Sequence, residues 1–341
     1  MKKLCQLAVA AVVLVSMALP VYGADEINLY SYRQPFLIQP LMDAFTAKTG
    51  VKVNVVYAKK GMLERIKAEG AHSPADLVLT VDIGRLNDMV EAGVLADTSS
   101  KVLEAAIPAH LRDPQGKWYG LTQRSRVIYA SKDRIPMDET FTYESLADPK
   151  YKGKICIRSG KHVYNISLIA SMIAHHGIDD AKKWLSGFKD NLARKPQGND
   201  RAQAKAIFEG ECDLGIGNTY YYGKMVTNEK KPEQKKWADS IRVVFPNQND
   251  RGAHMNISGA GVLKSSKNKA AALKLIEYLA SPEAQKIYAQ QNFEYPVIKG
   301  VDADSVTARL GDFKKDQISL AEVAKQRTAA SKLVDEVGFD N

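Results

Sequence analysis

At 341 residues, with 45% apolar and 26% charged side chains, the chain has the composition of a soluble globular protein with room for two ordinary domains. Its formal net charge of +9 comes from lysines and arginines scattered along the chain without a nucleic-acid motif. That argues against a nucleic-acid partner and for a solvated basic surface that holds anions well.

Residues 1–23 differ from the rest: Lys2 and Lys3 precede an apolar run at 7–19, and Val21-Tyr22-Gly23 places small residues near a cleavage point. This is the pattern of a cleaved secretory signal peptide. The run falls short of the ~20 apolar residues of a membrane-spanning helix. Cys5 leaves with the leader, and losing Lys2 and Lys3 lowers the formal charge from +9 to +7. Cys156 and Cys212 remain. In an oxidising compartment they either pair or stay as buried thiols, since pairing depends on a separation the sequence does not give.

Residues 27–32 alternate as a strand, and Phe36, Leu37, Leu41, Met42 and Phe45 follow at helical spacing before Gly50. The pattern then predicts a strand at 51–57, a helix at 62–68, a strand at 75–81 and a helix at 83–92. Residues 118–122 and 126–130 read as extended chain, as do 241–245 and 259–263. Between these regions lies a second series. It has a strand at 154–158, helices at 167–175 and 180–192, a helix capped by Asp200 and running to 208, and a strand at 212–216. A helix at 267–279, another opened by Ser281-Pro282 and a helical tail around Leu320, Val323, Ala324 and Leu333 complete the chain. Strands alternating with helices predict an α/β fold with a largely parallel sheet. One half, 24–125 and 251–300, is interrupted by a second, 126–250 and 301–341, with two extended crossings between them. Two lobes on such a hinge leave a cleft, where ligands are commonly held.

Gly217-Asn218-Thr219-Tyr220-Tyr221-Tyr222-Gly223 follows the strand at 212–216. Adjacent tyrosines on a strand cannot share one core face, so the run suits a loop at the cleft. Tyr164 occupies the corresponding loop after the strand at 154–158. Clustered phenol oxygens suit a hard trivalent cation, whose charge offsets the cost of ionising groups with a pKa near 10. Aromatic packing, or stacking on an organic ligand, accounts for the same residues. Arg124 and Arg126 share a strand face, and Arg33 follows the first strand. They bind carboxylate, phosphate or carbonate, or else form a surface face. His162 lies two residues before Tyr164, while His72, His110, His175, His176 and His254 form no chelating pattern. No hydrolase, zinc-protease, phosphate-loop or dinucleotide motif points to an enzyme.

Five stretches together resemble the ferric-iron-binding periplasmic proteins of ABC importers. They are Asn28-Leu29-Tyr30-Ser31-Tyr32-Arg33, Gly120-Leu121-Thr122-Gln123-Arg124-Ser125-Arg126, Val163-Tyr164-Asn165, Gly217-Asn218-Thr219-Tyr220-Tyr221 and Asn256-Ile257-Ser258-Gly259-Ala260-Gly261. The resemblance covers nearly all of the chain beyond the leader. It implies a two-lobed type II periplasmic binding fold, a monomer that captures Fe³⁺ and an ABC permease of the inner membrane as partner. It also implies Tyr164, Tyr220 and Tyr221 as ligands, and an anion such as carbonate held by Arg124 or Arg126, with Arg33 as a third candidate. Tyr222 does not match a ligand position. Many members carry His-Tyr after the first arginine, where this chain has Gln34 and Pro35. The first lobe is therefore expected to lack a strong metal ligand.

Overall fold

The computed structural model describes residues 26–341, so the expected signal peptide lies outside the described residues. The first lobe opens with β1 (Glu26–Ser31), β2 (Lys52–Tyr57) and β3 (Leu77–Thr80), which pair in parallel in the order β2-β1-β3. Helices Pro35–Thr49, Met62–Glu69 and Ile83–Glu91 connect and cover them. Pro35 at the first helical position fixes the backbone where no N–H is needed, and Gly50 ends the helix in the left-handed conformation.

The two extended segments expected at 118–122 and 126–130 are one strand, β4 (Tyr119–Ser131), buried along its whole length. The second lobe adds β5 (Ile155–Cys156), β6 (Leu214–Asn218) and β7 (Ile241–Val244), and the chain then returns along β8 (Met255–Val262). From Tyr119 to Ser125, β4 pairs antiparallel with β8; from Arg126 onward it pairs antiparallel with β6 and β7. The sheet is thus mixed rather than largely parallel, because the strands shared between lobes run against their neighbours. Residues 241–245, expected in a crossing, stay with the second lobe as β7.

One apolar core draws on residues 27–121 and 257–324, and two adjoining clusters draw on 127–253 and 323–339. The helix Leu320–Lys325 sits between them, with Leu320 and Ala324 in the first core and Val323 in the second. Among the described residues no helix is long and apolar enough to cross a membrane. Cys156 and Cys212 form a disulfide, with Cα atoms 5.9 Å apart. It ties the end of β5 to the approach to β6, the strands that lead to Tyr164 and Tyr220.

Candidate metal centre

The helices that carry Tyr164 and Tyr220 begin earlier than their sequence pattern indicates. Helix Val163–His176 is capped by His162, whose ring nitrogen accepts from the Tyr164 N–H at 3.3 Å. Tyr164 therefore stands in the first turn, not in a preceding loop. Burial, then the nearby Arg158, pushes the His162 imidazole down to about 3. It stays neutral, as an accepting ring nitrogen must.

β6 runs directly into helix Thr219–Val226, so the tyrosine run is also first-turn helix rather than loop. Two close approaches fix that turn. A Cβ on Gly217 would lie 2.3 Å from the Tyr129 ring, and one on Gly223 would lie 2.5 Å from Phe293. At 3.6 residues per turn, neighbouring side chains diverge by about 100°. Tyr220 and Tyr221 line the cleft, while Tyr222 turns away to pack on the apolar cluster of the second lobe.

The two helix starts bring three phenols together. The Tyr220 hydroxyl donates to the Tyr164 hydroxyl at 3.0 Å, and the Tyr220 and Tyr221 ring centroids are 4.4 Å apart. Guanidinium carbons of Arg124, Arg126 and Arg158 lie 5.7, 5.9 and 5.5 Å from the Tyr164 centroid. Arg201 lies 5.7 Å from Tyr221, and the Lys224 ammonium 5.5 Å from Tyr220. Burial, then the neighbouring phenols, raises the Tyr220 hydroxyl well above its usual range. Burial, then Tyr164 and Asp200, pushes Tyr221 up to about 12. Without a metal both are neutral phenols at physiological pH.

Arg124 and Arg126 stand on either side of the changeover in β4, opposite Asn256 of β8 and Asn218 of β6. Arg126 does not line the cleft. Its Nη1 bonds Asp200 at 2.6 Å and Asn218 at 3.1 Å, and its Nη2 bonds Asn165 at 2.7 Å. Arg124 lines the cleft, donates Nη2 to the Val81 carbonyl and keeps Nη1 without a partner among the described residues. Arg33 lines it too, with Nη2 on Ser258 at 2.5 Å and Glu294 at 2.8 Å, and Nε without a partner.

The sequence pattern missed Arg158, Arg201 and the role of Asp200. Asn199 caps the helix Asp200–Phe208, accepting from the Arg201 and Ala202 N–H groups, which frees the Asp200 carboxylate. Fully buried, Asp200 accepts from Arg126, from Arg158 at 2.9 Å and from the Asn218 N–H at 2.9 Å. Burial works to raise its carboxyl, but Arg126 and Arg158 outweigh it and hold it below the usual range. Position at the end of a strand, as for Tyr220, was the available signal for Arg158.

Tyr164, Tyr220, Tyr221, Arg33, Arg124, Arg158 and Arg201 face a cavity of about 1100 Å³ between the lobes. On the first-lobe wall Gln34 stands at the N-cap position of the helix that Pro35 begins, without a side-chain cap bond, beside Arg33, Tyr57 and Lys59. Glu294 is the buried carboxylate there, and Arg33 neutralises it. Among the described residues no cluster of three or more His, Cys, Asp or Glu side chains offers a metal site. The oxygen donors that converge are phenolic.

Residues 40–316 match the family of bacterial extracellular solute-binding proteins. Iron uptake protein A1 of Synechocystis is 46% identical over 316 residues, covering 92% of this chain and 88% of that protein. The ferric iron-binding protein A of Mannheimia haemolytica, solved in an open conformation, is 53% identical with a TM-score of 0.88, over 93% of this chain and 100% of that one. A Trichodesmium protein solved with iron and citrate ligands is 49% identical with a TM-score of 0.89, over 92% of this chain and 99% of that one. With this sequence likeness and a two-lobed fold hinged on β4 and β8, the chain belongs to the bacterial extracellular solute-binding proteins, among the ferric-iron-binding proteins of type II periplasmic fold.

Proposed function

We propose that this protein captures Fe³⁺ in the periplasm and delivers it to an ABC permease, with Tyr164, Tyr220 and Tyr221 binding the ion as phenolates. The observation that carries this reading is the 3.0 Å approach of the Tyr220 and Tyr164 hydroxyls, with the Tyr221 ring tilted against that of Tyr220 at 4.4 Å. Three phenolates neutralise a trivalent ion. Because burial and neighbouring phenols raise Tyr220 and Tyr221, the metal must displace tightly held protons. A trivalent charge does so better than a divalent one, which makes the site selective. Arg124, with its unpartnered donor, and Arg33 supply the place for an oxyanion such as carbonate that completes the coordination shell. Protonation of the phenolates, loss of the anion or reduction to Fe²⁺ each favours release.

Offering Fe³⁺ with bicarbonate to the purified protein tests the reading. Tyrosinate coordination gives a red-to-purple charge-transfer band. A protein that stays colourless, or one whose band and affinity survive Tyr220→Phe and Tyr221→Phe, rules the site out.

A further inference from the structure

We propose that Asn256 is a positioning residue that ties the helix bearing Tyr164 to the first lobe, so that the angle between the lobes sets where the Tyr164 phenol stands; the inference rests on the iron reading above. Asn256 is the second residue of the return strand β8 and lies opposite Arg124 of β4, at the changeover between the lobes. Its side-chain amide is fully used. Nδ2 donates to the Asp82 carboxylate at 2.7 Å and to the Ser167 hydroxyl at 2.9 Å. Oδ1 accepts from the Ile83 N–H at 3.1 Å and from the Ile257 N–H at 2.8 Å. An amide has two N–H donors and two acceptor positions, so none is left over.

The partners belong to different lobes. Asp82 caps the first-lobe helix Ile83–Glu91, accepting from the Gly84 N–H at 2.8 Å. Ser167 lies on the second-lobe helix Val163–His176, three residues after Tyr164 and so one turn away on the same side. Because Ser167 accepts from Asn256, its own proton is free for His254 Nε2 at 3.2 Å. Arg124 donates to the Val81 carbonyl next to Asp82, so both hinge strands hold residues 81–83. Further along the same first-lobe helix, Asp88 pairs with Arg327 of the second lobe. A Cβ on Gly84 would lie 2.7 Å from the Arg327 side chain. The helix Ile83–Glu91 is therefore fastened to the second lobe at its start and again at its middle.

The chemistry of the joint suits transmission of movement. Asp82, Ser167 and Asn256 are all buried, so water competes little for their bonds and each bond is strong. Apolar contacts let packed helices slide, whereas hydrogen bonds are directional and fix one register. A rotation of the first lobe that carries Asp82 reaches Ser167 through a single amide, and Tyr164 follows within one turn of rigid helix. Tyr220 and Tyr221 stand on a different helix, Thr219–Val226, and do not follow it. A change in lobe angle is thereby converted into a change in the separation of the Tyr164 and Tyr220 oxygens, 3.0 Å in this structure.

The test removes one arm of the joint with little change in packing. Ser167→Ala deletes a single hydroxyl oxygen, Ser167→Thr keeps a hydroxyl, and Asn256→Ala cuts the joint at its centre. Each protein is loaded with Fe³⁺ and bicarbonate. The charge-transfer band, the rate of iron loss to a chelator and the urea unfolding midpoint are measured. Losing one hydrogen bond predicts about three- to tenfold faster iron loss in Ser167→Ala, with a displaced band maximum. Ser167→Thr should restore both; a displacement that it does not reverse is a packing effect and overturns the role. Asn256→Ala should change both at least as much, and the double variant no more than Asn256→Ala, because the two residues act through one bond. A merely structural joint lowers the unfolding midpoint and leaves the band where it is. That result, or additive losses in the double variant, overturns the role. If Asn256→Ala does not fold, the two Ser167 variants decide alone. A wild type without a band overturns the iron reading, and the role with it. A wild-type band that Ser167→Ala does not move overturns this inference alone.

Discussion

The Tyr220 hydroxyl donates to the Tyr164 hydroxyl across 3.0 Å, joining two helices whose first turns arise 56 residues apart in the chain. Neither phenol can be reached by the other unless both strands that precede the helices are in register, and β5 and β6 pair through Cys156 and Gly215. On the proposed function, the contact marks where the ion would sit: two phenol oxygens at hydrogen-bond distance can separate slightly and accept a cation between them.

Replacing either partner should therefore cost more than a hydrogen bond. Tyr164→Phe, Tyr220→Phe and Tyr221→Phe are each expected to weaken Fe³⁺ binding by more than the 10- to 100-fold typical of residues one step removed from a metal. Tyr222→Phe should leave the affinity close to wild type, since Tyr222 packs away from the cleft. Competition against a chelator of known strength measures all four. Comparable losses in Tyr222→Phe and Tyr221→Phe would contradict the assignment.

Iron binding should weaken steeply as the pH falls. In the metal-free protein Tyr221 is pushed up to about 12 and Tyr220 lies well above its usual range, so both release protons when the ion binds. Each proton displaced adds about one decade of affinity per pH unit. A slope of at least two between pH 6 and 8, with matching proton release in unbuffered titration, is the expectation. A slope near zero would mean that the phenols are not the ligands.

Asp200→Asn should destabilise the metal-free protein as well as perturb the site. The carboxylate is fully buried between Arg126 and Arg158, and removing one partner of such a group costs about 3–5 kcal/mol. Both guanidiniums also lie within 6 Å of the Tyr164 ring, so the charge-transfer band of the loaded variant should shift in energy. Urea unfolding and the absorption spectrum read the two effects separately.

Much of this architecture is written plainly in the chain, and the reasons for the exceptions are specific. Tyr164 and the run Tyr220–Tyr222 stood out as phenols at strand ends, but aromatic packing explained them as well, and it was the family resemblance that narrowed the candidates to Tyr164, Tyr220 and Tyr221. Their setting in helices was hidden. His162 is not among the usual capping residues, and Asn218 passes the chain from strand to helix without any side-chain cap. Arg124 and Arg126 looked equivalent because they are two residues apart on one strand. What separates them is the change of partner from β8 to β6 between them, a tertiary fact with no local signal. Asp200 was legible only as a cap, because its neighbour Asn199 performs that task and the two types are interchangeable in sequence. Arg201 reaches the cleft through packing of distant elements, which no spacing encodes.

The disulfide is expected to contribute to stability and to hold the two ligand arms. Cys156 and Cys212 close a loop of 56 residues, for which a stabilisation of about 2–4 kcal/mol is typical. The double variant Cys156→Ser, Cys212→Ser should lose that amount in urea unfolding. Because each cysteine stands eight residues before a proposed ligand, Tyr164 or Tyr220, iron dissociation should also quicken. Unchanged stability on reduction of the wild type would show that the bond is absent in solution.

His254 supplies a pH dependence that is independent of iron. It lies where β8 begins, 2% exposed, with Nε2 3.2 Å from the Ser167 hydroxyl and Nδ1 without a partner among the described residues. Burial, then the nearby Arg124 and Arg126, pushes its imidazole down to about 3. The unfolded chain has an ordinary histidine near 6.5. Between these values the unfolded state binds a proton that the folded state refuses. The stability associated with neutral His254 is therefore complete above about pH 6.5 and is lost as the pH falls toward 3, at up to about 1.4 kcal/mol per pH unit. His254→Gln removes this contribution. Between pH 6.5 and 4.5 its unfolding free energy, measured in urea without metal, should fall less steeply than that of the wild type by about that slope. Parallel profiles for the two proteins would mean that His254 is protonated in the fold, and that the hinge tolerates a charge at its centre.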